Sequence, residues 1–202
     1  MTDDSTFMSV AVIITLFDMT RWEPDAQGRM VQAAMELFAE RGFDATTAGD
    51  IAGRAGVTER TFFRYFADKR EVLFDPAGTL QAAGVAAIVG APGGLSAWEA
   101  AMAGMVACGG VLGGRRDAAS RRHRIVMGSA SLRERELLKL AMLTDAVAGA
   151  LVGRGVESVV AALVAHGAVG VFSVAFERWV SRGEGPSLAE GVVELGGRLR
   201  VV

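Results

Sequence analysis

The chain has 202 residues, of which 51% are hydrophobic and 7% aromatic, and its formal net charge is -2 at pH 7. This length suits one large or two modest domains, and the near-neutral charge argues against a protein that coats nucleic acid non-specifically, while leaving room for a local basic patch. The single cysteine, Cys108, excludes an internal disulfide and a four-cysteine metal site, which fits a reducing cytoplasm.

Residues 1–21 are expected to form a disordered N-terminal extension. The apolar run at 7–17 follows two aspartates instead of a basic segment, has no evident small-residue cleavage site and is too short to span a bilayer. The sequence from Met19 looks like a more natural beginning. Residues 1–18 are therefore interpreted as an extension or a misassigned start.

A first amphipathic helix is predicted from Asp25 to Arg41, because apolar residues recur there at the i, i+3, i+4 spacing of one helical face. Gly42 is expected to end this helix as a C-cap. The residues of the apolar face are Met30, Ala33, Ala34, Leu37 and Phe38.

Two short helices follow. Thr47 can cap the first of them, with Asp50 placed to complete a capping-box-like pair. That helix ends near Gly56, which can adopt the positive φ of a tight turn. Thr58 caps the next helix, which runs to Tyr65. Two helices of about two turns each, joined by a glycine turn, predict a helix-turn-helix.

The apolar residues of this motif have the spacing of its core. Ala52 is small where the two helices must cross closely, and Phe62 lies ten residues further on. Phe62 and Phe66 are four residues apart, so both are expected to face inward and to pack on Phe38 and Ile51.

Beyond residue 75 the composition shifts to Ala, Gly and Val, and helical periodicity continues to the end of the chain. A helix beginning near Lys69 and about five more are predicted, and the fold class is all-α. The domains are expected at 22–68 for the helix-turn-helix head and 69–202 for the helical body. The predicted breaks are 90–94, 113–114, 128–131, 153–155 and 182–187.

Two neighbouring segments of the head carry a family resemblance. "TTAGDIAGRAGVTERTFFRYFADKREVLF", preceded by "AAMELFAERGFDA", closely resembles the DNA-binding domain of the tetracycline-repressor (TetR) family over residues 28–74. The resemblance is looser in "RIVMGSASLRERELLKLAMLTDAV" and "FERWV". It implies a cytoplasmic homodimer whose three-helix heads bind a palindromic double-stranded DNA operator. It also implies a body that binds a small effector of unknown identity. Effector binding usually releases the DNA, and repression is the family default.

The resemblance assigns roles residue by residue. The recognition helix would be Thr58–Tyr65, where Arg60 can read a guanine edge in the major groove. Lys69 matches a phosphate contact, whereas Arg54 and Arg64 fit a solvated surface equally well. The full set of expected DNA-binding residues is Thr47, Arg54, Thr58, Glu59, Arg60, Thr61, Phe63, Arg64, Tyr65 and Lys69.

The sequence departs from the family pattern at two places. Ala48 and Gly49 stand where many relatives have longer polar or basic side chains, which affects how much the second helix reads bases. Arg60 stands where many relatives have glycine or proline, and is expected to alter the preferred operator. The segment at Asp75 and Pro76 joins head and body, and it is expected to transmit the conformational change between them.

Large apolar residues in the body are candidates for a pocket that accepts a mostly apolar effector, since methionine adapts to varied ligands. Taken singly, each fits an ordinary core position better, and the pocket itself is implied only by the resemblance. The candidates are Trp98, Met102, Met105, Met127, Met142, Phe172 and Phe176.

Two further segments have open interpretations. The favoured interpretation of the basic run at 115–124 is a solvated helix face. The alternatives are a site for a phosphate-bearing effector such as an acyl-coenzyme A and a contact to the DNA backbone. The uncharged run at 159–176 is long enough to span a membrane, but a buried helix is the favoured interpretation. Together with the last helix, about 187–200, it is placed in the dimer interface, with His166 as a hydrogen-bonded core residue.

Two other classes of function compete with DNA binding. The chain lacks G-x-S-x-G, a Walker-type phosphate loop, HExxH and G-x-G-x-x-G, so it is not expected to be an enzyme, and no cofactor or metal is expected. The second rival is a repressor-like helical protein that acts through protein or ligand contacts without reading DNA. Reversing the charge at Arg60 and Lys69 would distinguish that protein from a DNA-binding one.

Overall fold

The computed structural model describes residues 25–74 and 78–199, and these residues form helices without any strand, which confirms the all-α prediction. The expectations for residues 1–21 and for Asp75 and Pro76 lie outside the described residues. The helices are α1 (Ala26–Arg41), α2 (Ala48–Arg54), α3 (Glu59–Tyr65), α4 (Thr79–Val89), α5 (Ala97–Val111), α6 (Arg116–Met127), α7 (Ala130–Gly153), α8 (Ser158–Ser181) and α9 (Leu188–Leu199).

Helices α1 to α3 form the head, and their predicted end signals are confirmed. Gly42 has φ 83° after α1, and Gly56 has φ 70° in the turn between α2 and α3. Thr47 and Asp50 form a complete capping box, and Thr58 caps α3 by accepting from the Thr61 amide. These local contacts satisfy amide groups that have no partner inside their helices.

The core of the head extends past the boundary expected at residue 68. The 3₁₀ turn Glu71–Leu73 follows α3, and Val72, Leu73 and Phe74 are buried in the same cluster as the inner faces of α1 to α3. Val126 of α6 and Leu132 of α7 are completely buried in that cluster as well. Head and body are therefore joined by a shared apolar cluster.

The prediction that the next helix begins near Lys69 is wrong. Residues 66–70 are not helical, Glu71–Leu73 is a single 3₁₀ turn, and α4 begins at Thr79. The Asp68 carboxylate accepts from the Arg70 side chain and from the amides of Arg70 and Glu71, which favours a turn at this point. The five helices predicted after this one are present. The predicted breaks at 90–94, 113–114 and 182–187 lie between helices, whereas 128–131 overlaps the first two residues of α7 and 153–155 overlaps its last residue.

The body packs around α8, which contacts α5, α6, α7 and α9. Ala161, Ala165 and Ala168 are completely buried on its inner face, so neighbouring helices approach closely. Within the described part of the chain, α8 is also the one helix long and apolar enough to cross a membrane. Its burial in the body agrees with the favoured interpretation of a packed helix, although the opposite face is exposed.

Four charged side chains, the junction network, tie the 3₁₀ turn to α6 and α7: Glu71, Arg122, Arg135 and Glu136. Arg135 pairs with Glu71 through two nitrogens, and its Nη2 lies 2.8 Å from Oε2. Arg122 donates to Glu136 and, through Nε at 2.7 Å, to the Leu73 carbonyl. Both guanidinium groups lie over the Phe74 ring. The network holds the 3₁₀ turn, which follows the last helix of the head, against the body.

Candidate nucleic-acid interface

The turn between α2 and α3 fixes the orientation of the exposed helix. The Val57 amide donates to the Ala52 carbonyl at 2.9 Å, directly after the positive φ of Gly56. At the start of α3 the Thr58 and Thr61 hydroxyls are 2.9 Å apart, and the Thr61 amide donates to Thr58 Oγ1 at 3.1 Å. Two short helices are thus held rigidly by local hydrogen bonds.

One face of α3 is buried, as predicted. Phe62 and Phe66 are almost completely inaccessible, and their ring centroids are 5.2 Å apart. They lie in one cluster with Phe38 and Ile51. This packing anchors α3 so that its opposite face is presented to solvent in a fixed orientation.

The opposite face carries the side chains that can meet DNA. Glu59, Arg60, Phe63 and Arg64 are all exposed, and the Phe63 ring is 50% accessible. Among the described residues, neither Arg60 nor Arg64 has a carboxylate within ion-pair distance, and the Arg64 guanidinium lies 5.1 Å from the centroid of the Tyr65 ring. Two uncompensated cations and an exposed ring on a rigid helix form a surface suited to a polyanion.

Two family models match this architecture. Residues 30–75 match the model described as bacterial regulatory proteins, tetR family, and residues 95–199, more than half of the chain, match the MftR C-terminal domain. The chain belongs to the TetR family. Its head contains a helix-turn-helix, and the resemblance found in the sequence is confirmed.

Individual relatives agree with this assignment. The HTH-type transcriptional regulator TcmR of Streptomyces glaucescens is 39% identical over 66 residues, which cover 33% of this chain and 29% of TcmR. The HTH-type transcriptional repressor KstR2 of Mycobacterium tuberculosis is 40% identical over 47 residues, 23% of this chain and 24% of KstR2. The matched segments thus span less than a third of these curated relatives.

A solved structure covers more of the chain. FadR of Thermus thermophilus, a TetR-family transcriptional repressor crystallised with lauroyl-CoA, is 26% identical with a TM-score of 0.55. The match covers 87% of this chain and 93% of FadR.

Three residues expected to touch DNA are already engaged inside this TetR-type head. Lys69 Nζ donates to the carbonyls of Phe43 at 2.8 Å and Thr46 at 2.9 Å, and it lies 4.2 Å from the centroid of the Phe43 ring. The Thr47 hydroxyl donates to Asp50 Oδ2 at 2.7 Å and accepts from the Asp50 amide. These contacts lower the pKa of Asp50, since they stabilise its carboxylate.

Arg54 is the third of these residues. It forms a two-pronged pair with Glu40, with nitrogen to oxygen distances of 3.1 and 3.0 Å, and it also lies 3.5 Å from Glu36. The Arg54 hydrogen bond holds the pKa of Glu40 below its usual value. Two carboxylates thus compensate this cation, which makes Arg54 a weaker DNA candidate than Arg60 or Arg64.

Sequence reasoning missed a contact at the start of α2. A Cβ added at Gly49 would lie 3.4 Å from Glu59 Oε2, an ordinary van der Waals distance, so the Glu59 carboxylate lies beside the start of α2. Gly49, where the sequence departs from the family pattern, therefore lies beside the glutamate at the start of α3. Single-residue patterns give no signal for such a pair.

Five of the seven effector candidates come together in the body. Met105 and Phe172 are buried, and Trp98, Met102 and Phe176 pack against the same cluster. Met127 and Met142 are exposed and lie outside it. Their sequence positions gave no indication of which helix face they occupy.

The side chains of this cluster join α5 to its neighbours. The Trp98 ring would lie 3.2 Å from a Cβ added at Gly167 of α8, and the Met102 methyl group occupies the space beside Gly196 of α9. In the parts of the chain that the structure describes, no three His, Cys, Asp or Glu side chains are grouped to hold a metal ion.

Proposed function

We propose that this TetR-family protein is a cytoplasmic homodimeric repressor that binds a palindromic DNA operator through α3 and is released by a small, largely apolar effector. The observation that carries the proposal is the exposed face of α3, with Arg60 and Arg64 uncompensated and Phe63 exposed, on a helix anchored by Phe62 and Phe66. Arg60 has the donor geometry to recognise guanine in the major groove.

The remaining head residues have supporting roles in this proposal. Glu59, Thr61 and Tyr65 flank the two arginines on α3, and Thr47 and Thr58 place the starts of α2 and α3 toward the DNA backbone. Lys69 holds the loop at 43–46 through the carbonyls of Phe43, Thr46 and, at 3.5 Å, Asp44, so a phosphate oxygen would replace the long Asp44 contact.

A footprinting experiment tests DNA reading. Fragments that flank the protein's own coding region are titrated with purified protein across a salt series, and any complex is footprinted. We expect a protected palindrome with half-sites about one helical turn or a multiple of it apart. Binding that is equally weak to all sequences and insensitive to salt would contradict the proposal.

The dimer interface is assigned to the outer faces of α8 and α9. Val160, Leu163 and Val174 are exposed at positions that share one side of α8, and Val193 is exposed on α9. His166 is also exposed in the protomer, with Nδ1 2.9 Å from the Ala162 carbonyl oxygen, so its expected burial depends on a partner subunit. An apolar stripe of this kind is typical of a subunit contact.

Two matched leucines test this interface. Leu163 on α8 is 69% exposed and Leu137 on α7 is 68% exposed, so they differ in location and hardly in accessibility. We expect Leu163→Glu to give monomers in sedimentation velocity and to weaken DNA binding, whereas Leu137→Glu remains dimeric. If both variants stay dimeric, the interface lies elsewhere.

The effector site is assigned to the cluster of Trp98, Met102, Met105, Phe172 and Phe176. These side chains are buried in, or packed against, one apolar cluster. An effector that binds among them therefore selects a conformation in which the body helices are further apart.

The lauroyl-CoA bound by FadR supports an effector with a long apolar chain. Lauroyl-CoA is therefore added to the protein–DNA complex, with coenzyme A alone as the control. Release by lauroyl-CoA only is expected, with loss of the response in Phe172→Ala. Equal release by both compounds would contradict an apolar effector, and release by neither would contradict the acyl class.

A further inference from the structure

The basic residues of α6 have three different environments. Arg122 belongs to the junction network, and Arg116 donates to the carbonyls of Gly185 and Pro186 in the loop before α9. Arg121 and Arg124 are exposed, and the described residues provide no carboxylate within ion-pair distance of either. They are three residues apart on one helix, where like charges repel each other. Within the described parts of the chain, neither arginine therefore has an ion-pair partner that accounts for its charge.

Arg121 and Arg124 line a groove between the head and the body. One wall is the end of α1 with the loop that follows it, and the other is α6 with the turn into α7. The groove has a volume of about 560 Å³ and includes apolar surface from Met35, Phe43 and Ile125. This volume lies within the range of roughly 300–1,000 Å³ that is usual for small-molecule sites.

The charge of the groove favours an anion. Its lining residues contribute three guanidinium groups, with Arg41 as the third, and one carboxylate, Asp44. Among the described residues, the ion pair of Arg41 is a long contact of 3.9 Å to Asp50, so its charge is weakly compensated. An anionic group would reduce the repulsion between the two arginines of α6 and form charge-assisted hydrogen bonds with them.

From this combination we infer that the head–body groove is a binding site for an amphipathic organic anion. The ligand would have an apolar chain or ring against Met35, Phe43 and Ile125, and a phosphate or carboxylate group at Arg121 and Arg124. A DNA backbone is a poorer match, since it has no apolar part to fill the recess. The site is separate from the effector cluster of the body, and it does not depend on the proposed effector.

Occupancy of the groove would be coupled to DNA binding, because one wall belongs to the head and the other to the body. A ligand that contacts α1 and α6 together binds most tightly at one angle between them. By linkage, DNA and ligand then change each other's affinity by the same factor, typically about 5- to 150-fold.

The test uses n-octyl phosphate as the probe and the full-length protein without DNA. Binding is measured by calorimetry, and its location by methyl NMR of the nine methionines, with Met35 assigned through Met35→Leu. We expect the Met35 signal to shift while those of Met102 and Met105 stay unchanged. Inorganic phosphate is expected to bind at least about tenfold more weakly, because it has no apolar part.

A matched pair of double variants completes the test. Arg121→Gln/Arg124→Gln should weaken octyl phosphate binding by about tenfold or more, since two charge-assisted contacts are lost. Arg115→Gln/Arg133→Gln removes the same charge at two exposed arginines outside the groove and should leave the affinity within about twofold. Circular dichroism confirms that both variants are folded.

Three results would overturn the inference. One is equal affinity of octyl phosphate for the wild type and the groove variant. Another is a shift at Met102 and Met105 without one at Met35. The third is a groove variant that loses salt-dependent DNA affinity as strongly as Arg60→Gln, which would assign Arg121 and Arg124 to the DNA backbone.

Discussion

The pair between Glu71 and Arg135 offers a quantitative test of how head and body are joined. Their side chains are only 16% and 19% exposed, and two nitrogens of Arg135 donate to the carboxylate. Arg135→Met keeps most of the side-chain volume but leaves Glu71 with Lys139, at 3.9 Å, as its remaining cation. Because charge-assisted hydrogen bonds contribute about 1.5–3 kcal/mol each and the pair is partly solvated, we expect a loss of about 2–3 kcal/mol in the free energy of unfolding.

Urea unfolding of four proteins measures this contribution. The wild type, Glu71→Gln, Arg135→Met and the double variant form a cycle in which we expect a coupling energy of about 1–2 kcal/mol. Arg198→Met is the control, because its pair with Glu194 is 69% and 45% exposed and should contribute at most about 0.5 kcal/mol. A coupling energy near zero, or an Arg135 effect no larger than the Arg198 effect, would refute the argument.

Three further outcomes are expected from single positions. Gly104→Ala should destabilise the body by about 1–3 kcal/mol in thermal unfolding, because its Cβ would lie 2.7 Å from Ile88 Cγ1. An unchanged melting temperature would show that α4 and α5 are packed less closely at this crossing than the distance indicates. Cys108 should not react with a thiol reagent at pH 8 while the protein is folded, since burial raises the pKa of its thiol to about 11; rapid labelling would contradict this. Lys69→Met should lower the free energy of unfolding by about 1–3 kcal/mol even without DNA, because the carbonyls of Phe43 and Thr46 lose their close donor and that of Asp44 a longer one. A fully stable variant that loses only DNA affinity would restore a purely phosphate-binding role.

Much of the head could be predicted from the sequence because its signals are local. The caps at Thr47 and Thr58 and the turn at Gly56 depend on residues within five positions of each other. The apolar spacing of α1 and the pair Phe62 and Phe66 predicted the buried faces for the same reason. Local consistency of this kind is also what made the family resemblance specific.

Other features depend on partners that are distant in the chain, and the sequence could not predict them. Lys69 is held by a carbonyl 26 positions away, and Arg54 by a glutamate 14 positions away. The start of α4 was misplaced because the strong helical pattern of the body conceals the turn after Asp68. The separate roles of Arg116, Arg121 and Arg122 within one basic run likewise become visible only once α6 is packed.

The most direct test of the central claim is the salt dependence of DNA binding by variants of α3. With about 4 phosphates contacted per subunit, a dimer should show a slope of about -7 in a plot of log affinity against log salt concentration. We predict that Arg60→Gln/Arg64→Gln weakens binding by at least about tenfold, whereas Arg115→Gln/Arg133→Gln, with the same loss of charge, changes it by less than about threefold. Equal effects of the two variants, or a wild-type affinity that hardly changes with salt, would show that the exposed face of α3 is not the DNA-binding surface.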